Sequence, residues 1–408
     1  MTDRVDVVIA GGGLNGPALG LALAGAGLTV AVVDARPARE RAGEAFDGRA
    51  YALALASQRL LAALGVWPAL AAEAQPILRV EAVQARPGEA PGWLGLGFDA
   101  AELEEGPLGF MVEDRHLYRA LLEAMEAAPG LTHLPGTSVR GVEAGPAGVT
   151  VTLDGGRIGA RLLVGADGRG SFVARDAGIR RTGWDYGQTA LVTALSHELP
   201  HGGTARQVFL PGGPLAILPL TGNRSSIVWS LPRREAEALR AQPDAAFLDA
   251  LRPAFGPQLG AIALAGPRFD YPLSLSLAER YIAPRRALIG DAAHGVHPIA
   301  GQGLNLGLRD VAALAECVVE ARRRGEDFGS DLVLERYQGW RRFDATLLAA
   351  GMDGVNRLFS NGNPLLRLAR GLGMGAVQAV PALRRGFMRQ AAGLSLDPMP
   401  RLLAGQPL

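Results

Sequence analysis

Three short glycine-bearing stretches carry the residue types best suited to chemistry in this chain of 408 residues. One runs from Gly290-Asp291-Ala292-Ala293-His294 through His297-Pro298-Ile299-Ala300-Gly301-Gln302-Gly303-Leu304-Asn305 to Asp310. The apolar spacing from Leu304 through Leu308, Val311, Ala312 and Leu314 is helical. The glycine-rich turn therefore opens a helix, where unpaired N–H groups and the positive dipole end favour an anionic or electron-rich ligand atom. A second stretch, Gly11-Gly12-Gly13-Leu14-Asn15-Gly16, fits G-x-G-x-x-G. In that pattern Gly11 permits the tight turn, Gly13 lets backbone approach a pyrophosphate, and Gly16 lets the helix pack closely. Asp34, followed by Ala35 and Arg36, is placed to accept from a ribose hydroxyl. The third stretch holds Asp167-Gly168, by itself an ordinary turn dipeptide. A dinucleotide site is the chemistry these stretches support. The plainer alternative is a glycine turn that only packs helix on strand.

The elements that position these residues are legible around them. Val5 to Ala10 and Leu28 to Val33 read as buried strands flanking a helix from Ala18 to Ala26. Arg286 to Ile289 is a short strand before the long motif, and Leu162 to Arg175 reads as strand, turn and helix start. Between them, Gln188 to Ser196, Ala205 to Leu210, Leu215 to Leu220 and Ser225 to Leu231 are successive strands separated by Gly, Pro or Asn turns. An antiparallel sheet is the expectation for that region.

Composition excludes several classes. A hydrophobic content of 48% with 20% charged residues describes a globular protein, and the length accommodates two or three domains. A formal charge of +1 argues against nucleic acid as a partner. Lysine is absent, so arginine carries every strong positive charge. The single cysteine, Cys317, rules out a disulfide within the chain and a cysteine metal cluster, and no metal is expected. The chain enters an apolar strand without a basic start or cleavage site, so a cytoplasmic location is expected.

Together the three glycine stretches resemble the flavoprotein hydroxylases related to para-hydroxybenzoate hydroxylase. The run His-Pro-x-Ala-Gly-Gln-Gly-x-Asn-x-Gly-x-x-Asp, from His297 to Asp310 without a gap, is similar to the signature of the ubiquinone-biosynthesis hydroxylases. Asp47 to Leu53, Tyr186 to Ala190, Glu198 to His201 and Gly213 to Leu220 agree with it, so the resemblance extends beyond residue 340. One departure is Val112-Glu113-Asp114-Arg115, where the family usually has Asn in place of Asp114.

The resemblance implies an α/β fold: a Rossmann-like FAD-binding domain with an inserted antiparallel β-sheet substrate domain and a C-terminal helical segment. The FAD domain would collect residues 1–73, 99–181 and 271–355, the substrate domain 74–98 and 182–270, and the basic helical segment 356–408. Gly11, Gly13, Leu14, Asn15 and Gly16 would hold the ADP part of FAD with Asp34 at a ribose hydroxyl, and Ala35, Arg36, Arg49, Arg115 and Val139 would also contact the cofactor. Asp167 and Gly168 would lie near the pyrophosphate, and Gly290 and Asp291 at the ribityl chain. Pro298 would lie against the ring, with the amides around Gly301, Gln302, Gly303, Leu304 and Asn305 at its electron-rich edge.

A flavin hydroperoxide, formed from reduced cofactor and O2, is the oxidant this resemblance implies, and the cofactor supplies the difficult reactivity. The implied reaction hydroxylates a polyprenyl phenol ring. With no second nucleotide fold visible, NAD(P)H binding transiently or a protein reductase would supply electrons. Two alternatives are a hydroxylase of a soluble aromatic compound and a non-catalytic FAD-binding scaffold subunit. His201, His294, His297, Tyr186 and Tyr271 are all candidates for proton transfer or phenol orientation, and the sequence does not separate them. For His294 and His297, ordering the loop competes with catalysis. His201, in a turn between strands, is expected to be exposed.

From Pro364 to Leu394 the chain carries Leu365, Leu368, Leu372, Leu383 and Phe387 among Arg367, Arg370, Arg384, Arg385 and Arg389, with no acidic residue. An amphipathic basic helix pair follows, suited to an anionic membrane's inner face or to a ubiquinone-biosynthesis complex. Packing across the FAD domain is the competing expectation.

Overall fold

The computed structural model describes residues 3–38, 43, 46, 48–85, 95–296, 301–359, 373 and 375–408. His297 and Pro298, Asp47, and residues 364–372 with 374 of the basic segment lie outside the described residues.

Four short apolar runs, buried on both faces, build the central sheet. Its order is Ile282–Ala283, Arg286–Leu288, Leu162–Gly165, Val7–Ala10, Val30–Asp34, Leu131–Pro135, and every pair is parallel except the first. Val7, Val8, Ile9, Val30, Val32, Leu162, Leu163 and Val164 are each 0% exposed, as strands covered by helices on both sides must be. The helix Asn15–Gly25 and the long helix Gln302–Arg323 pack against each other, and both lie in the same core as the sheet. Beside this sheet stand a four-stranded sheet ending at Val139–Gly145 and a three-stranded one of Ala50–Ala54, Gly109–Glu113 and Gln75–Ile77.

A nine-stranded sheet forms the second layer. Across it run Phe269–Ala278, Arg181–His197, Arg224–Pro232, Gly213–Leu220, Thr204–Leu210, Arg79–Gln84 and Leu96–Asp99. The antiparallel expectation holds among the four strands read from sequence. It fails at one join, because Thr204–Leu210 runs parallel to Arg79–Gln84. Parallel neighbours need a long crossover, and more than a hundred residues separate these two, a relation no local pattern reveals.

Side chains alternate across each strand, so the sheet has two distinct faces. Leu191, Leu195, Ile217, Ile227 and Trp229 pack with Phe247, Leu251 and Phe255 of the helix Asp244–Phe255. On the opposite face, Ala194, Ala205 and Leu220 pack with Ile77 and Met111, turning that face toward the central domain.

The C-terminal tail returns to the central domain. Ala56 donates its N–H to the Ala392 carbonyl, the Trp340 indole donates to Pro398, and Leu402 and Leu403 are buried. On the helix Pro381–Ala391, Arg384 pairs with Glu102 at 2.6 Å and Arg389 with Glu105 at 2.8 Å. Both arginines are paired, Arg384 half-buried and Arg389 exposed. The sequence concealed this because their partners lie about 280 residues earlier.

Candidate active site

The three glycine stretches converge at the carboxyl ends of the central strands. A Cβ on Gly11, whose φ is +114°, would lie 2.2 Å from the Ala166 carbonyl oxygen, and one on Gly16 would lie 1.9 Å from the Gly11 oxygen. Only glycine allows these chains to meet. The amide side chain of Asn15 is wedged between Gly290 and Gly307, where added Cβ atoms would each come within 2.3 Å of its Nδ2. Asp34, at the end of the second strand, accepts the Arg36 N–H at 2.9 Å, while Arg36 and Ala35 are exposed. Thr137 donates its N–H to the Asp34 carbonyl, which sets Val139 just beyond that end of the groove.

Asp167 has two roles divided between its oxygens. Oδ2 accepts from the N–H groups of Phe172 and Val173 at 2.7 and 3.1 Å and so caps the helix Phe172–Asp176. Oδ1 is buried without a partner, as is Oδ1 of Asn15. Orphaned acceptors of this kind are uncommon in a folded interior and mark a place for a donor-bearing ligand. Gly168, at φ +79°, completes the turn.

Gly290 takes φ +59° and turns Asp291 outward, leaving its carboxylate about two-fifths exposed. Arg169 reaches this carboxylate at 3.2 Å and also donates to Ser274 and to the Val296 carbonyl, each at 3.1 Å. Arg181 holds the same turn from its carbonyl side, donating to Asp291 at 3.0 Å and also to Ala292. Burial draws its guanidinium below the ordinary value, with Asp291 opposing that shift. Neither arginine stood out in the sequence. Their one visible signal was charge flanking the Asp-Gly turn.

The helix Gln302–Arg323 starts at Gly301, which is left-handed at φ +62° and sits close against Ala52. Gln302, Gly303 and Leu304 are half-buried at the helix start, and nothing lies within 4 Å of a Cβ built on Gly303. Their N–H groups are orphaned by helix geometry and form a ready anion site. Asn305 serves differently from its expected role as a contact. Its side chain is 1% exposed, accepts from Ala54 N–H at 2.8 Å and Ser57 hydroxyl at 2.7 Å, and donates to the Ala52 and Gly301 carbonyls at 2.8 and 3.1 Å. It pins the helix start to the strand Ala50–Ala54.

The two arginines expected at the cofactor are held by acids. Arg49 pairs with the fully buried Asp114 at 3.0 Å, so the aspartate that departs from the family pattern is a charge partner here. Arg115 donates to Glu113 at 2.7 Å, and Arg224 of the nine-stranded sheet donates to the other Glu113 oxygen at 2.9 Å. Glu113 thereby joins the two layers.

Among the described residues the proton-transfer candidates separate clearly. His294 is 0% exposed, and its Nε2 lies 2.6 Å from Asp310 Oδ2, which places it behind the loop. His201 corrects its expected exposure: Nε2 bonds the Leu220 carbonyl at 2.8 Å and Nδ1 accepts the Gly203 N–H at 3.0 Å, closing its own turn. Tyr186 is half-buried and donates its hydroxyl to Asp353 at 2.9 Å. Burial and that carboxylate raise its phenol well above the ordinary range. Tyr271 lies opposite Ala190 on the inner face of the sheet and is 38% exposed. No group of three or more metal-ligating side chains occurs among the described residues.

The FAD binding domain family matches residues 4–346. The ubiquinone hydroxylase UbiL of Rhodospirillum rubrum is 47% identical over 410 residues, covering 100% of this chain and 94% of that protein. The chain belongs to the ubiquinone-biosynthesis family of FAD-dependent hydroxylases. The 3-demethoxyubiquinol 3-hydroxylase of Escherichia coli is 39% identical, covering 97% of the hydroxylase described here and 100% of its relative. In fold, the hydroxylase superposes on p-nitrophenol 4-monooxygenase PnpA of Pseudomonas putida with a TM-score of 0.79 at 18% identity, over 96% and 99% of the two chains. It is an FAD-dependent monooxygenase.

The residues present fit FAD. The glycine cradle admits a pyrophosphate beside the helix Asn15–Gly25, the two orphaned oxygens await donors, and an exposed carboxylate and a helix start lie farther along the groove. Bound there, FAD supplies electron transfer and oxygen activation.

Proposed function

We propose that this enzyme hydroxylates the aromatic ring of a polyprenylated phenol on the route to ubiquinone. The observation that carries the reading is the inner face of the nine-stranded sheet. By strand register this face carries Tyr271, Ala190, Val192, Val228, Ala216, Phe209, Ala82, Leu96 and Phe98, interrupted by Ser230 and Gln207, while Val80 and Leu218 pack toward Ile77 and Met111 of the central domain. Seven strands from Phe269–Ala278 to Leu96–Asp99 make six spacings, and at roughly 4.8 Å each this mostly apolar face spans about 29 Å. A single phenol ring needs only a fraction of that length, whereas a prenyl tail uses it.

In this reading Asn15, Asp34 and Asp167 would hold the ADP half, Asp291 would order the ribityl chain, and the N–H groups of Gln302, Gly303 and Leu304 would meet the electron-rich ring edge. Arg49 and Arg115, tied to carboxylates, shape the groove wall. The apolar face excludes water from the reacting ring and strengthens the electrostatics at the helix start. Among the described residues of that face, Tyr271 is the titratable group nearest to a phenol-orienting role. Segments 1–73, 99–181 and 271–355 are assigned to the cofactor domain and 74–98 with 182–270 to the substrate domain.

Turnover with a prenylated phenol against the same phenol lacking its tail tests the reading. A kcat/KM at least tenfold higher for the prenylated compound is expected. Equal values would move the assignment to soluble aromatics, and FAD-loaded protein with no substrate-dependent oxygen uptake would favour a scaffold.

Access to such a substrate places the enzyme at a membrane surface. No helix among the described residues is long and apolar enough to cross a bilayer. On Pro381–Ala391, Leu383 and Phe387 are 50% and 55% exposed, next to Val380 at 42%, with Arg385 also exposed. One face of this helix therefore offers apolar anchors beside a cation, suited to anionic lipid. Co-sedimentation with vesicles containing anionic phospholipid, lost in the Leu383→Asp, Phe387→Asp double variant, is the expected result.

A further inference from the structure

The helix Gln302–Arg323 buries two adjacent charged residues among aliphatic ones, Arg309 and Asp310. Asp310 is 0% exposed between Leu306, Val311 and Leu314, all likewise at 0%. Its carboxylate receives three donors: His294 Nε2 at 2.6 Å, Arg341 Nε at 2.8 Å and the Gly290 N–H at 2.9 Å. Burial pushes this carboxyl up, and His294 and Arg341 beside it outweigh that effect and hold it below the ordinary range. Arg341, 1% exposed on the helix Asp331–Phe359, is itself fixed by Asp344 at 2.6 Å.

A buried ion group is poor evidence of stabilisation, because well-packed aliphatic side chains commonly do as well. Its geometric effect here is specific. Asp310 stands on the helix whose first N–H groups face the groove, and it holds the N–H of Gly290, the residue whose left-handed turn aims Asp291 outward. The carboxylate thus ties two contact points for one ligand to a single rigid element, about 8–12 Å apart along the helix at 1.5 Å per residue. Arg181 holds the opposite, carbonyl side of the same turn.

We propose that Asp310, oriented by Arg341, is a positioning residue that presents the Asp291 turn to the cofactor in register with the Gln302–Asn305 helix start. This rests on the assignment of Asp291 to the cofactor. The test measures the FAD dissociation constant by flavin fluorescence on apoprotein refilled with FAD, for D310N, D291A and the double variant, with far-UV circular dichroism as the check on folding. D310N is expected to weaken FAD at least tenfold while remaining folded, and the double variant to bind no more weakly than D291A alone. Wild-type affinity in D310N, or additive losses in the double variant, overturns the proposal and leaves the Asp291 assignment intact. Wild-type affinity in D291A overturns that assignment and the proposal with it. Should D310N not fold, R341K keeps the buried cation and alters its geometry, and the same three comparisons with D291A decide.

Discussion

Asn305→Asp isolates the contribution of one buried amide at the helix start. The Asn305 oxygen accepts twice and its nitrogen donates twice, all four partners being within 3.1 Å and the residue 1% exposed. An aspartate of the same shape keeps both accepted bonds. It removes both donors and leaves the Ala52 and Gly301 carbonyls facing an acceptor. Each unsatisfied buried group costs about 1–3 kcal/mol, and the Ala52 strand offers partial compensation, so a loss of about 2–4 kcal/mol is expected at neutral pH. That is a large share of a total stability of roughly 5–15 kcal/mol. The new carboxyl, desolvated and facing two carbonyls, has its folded pKa raised above the unfolded value of about 3.9. The folded state then binds the proton more tightly, so the deficit is smallest below the unfolded pKa and grows as pH rises through the folded one. Urea unfolding of wild type and variant apoprotein at pH 5 and pH 8 measures this directly. A deficit below about 1 kcal/mol at pH 8 would refute the pinning role.

Gly290→Ala forces a Cβ to 2.3 Å from the Asn15 amide at φ +59°. The left-handed backbone alone costs about 1–2 kcal/mol, so a lower unfolding free energy together with weakened FAD binding is expected, and wild-type values for both would contradict the close approach. Tyr186→Phe deletes the hydroxyl bond to Asp353. Because the phenol stays protonated far above neutrality, the pH profile of kcat/KM should keep its shape in the variant, and loss of a basic limb would show that Tyr186 titrates during turnover. Burial pushes the Cys317 thiol up to about 12. Native protein at pH 8 should resist maleimide for hours and label fully in urea, and rapid native labelling would contradict its packing.

Much of the site was legible because its elements are local. The runs Val7–Ala10, Val30–Asp34 and Leu162–Gly165 are apolar enough to be covered on both faces, and each ends at a residue the glycine motifs mark. The helix from Gln302 follows from the spacing of Leu304, Leu308, Val311 and Leu314. Even Asp310 left a trace, as a charged position within an aliphatic face. The partners of these residues left none. Arg341 reaches Asp310 from 31 residues away, Arg224 reaches Glu113 from 111, and Arg384 reaches Glu102 from 282.

The sequence alone determined the cofactor class, the glycines that admit it and the strands and helices that carry them. These depend on backbone conformations and periodicities set within a few residues. Tertiary structure decided which charges face the groove and which are spent on one another. It placed His294 behind the loop, set Asn305 as a pin and aligned seven strands into one sheet. Pairing of charges and alignment of strands depend on distances between segments far apart in the chain, and a linear pattern does not carry those distances.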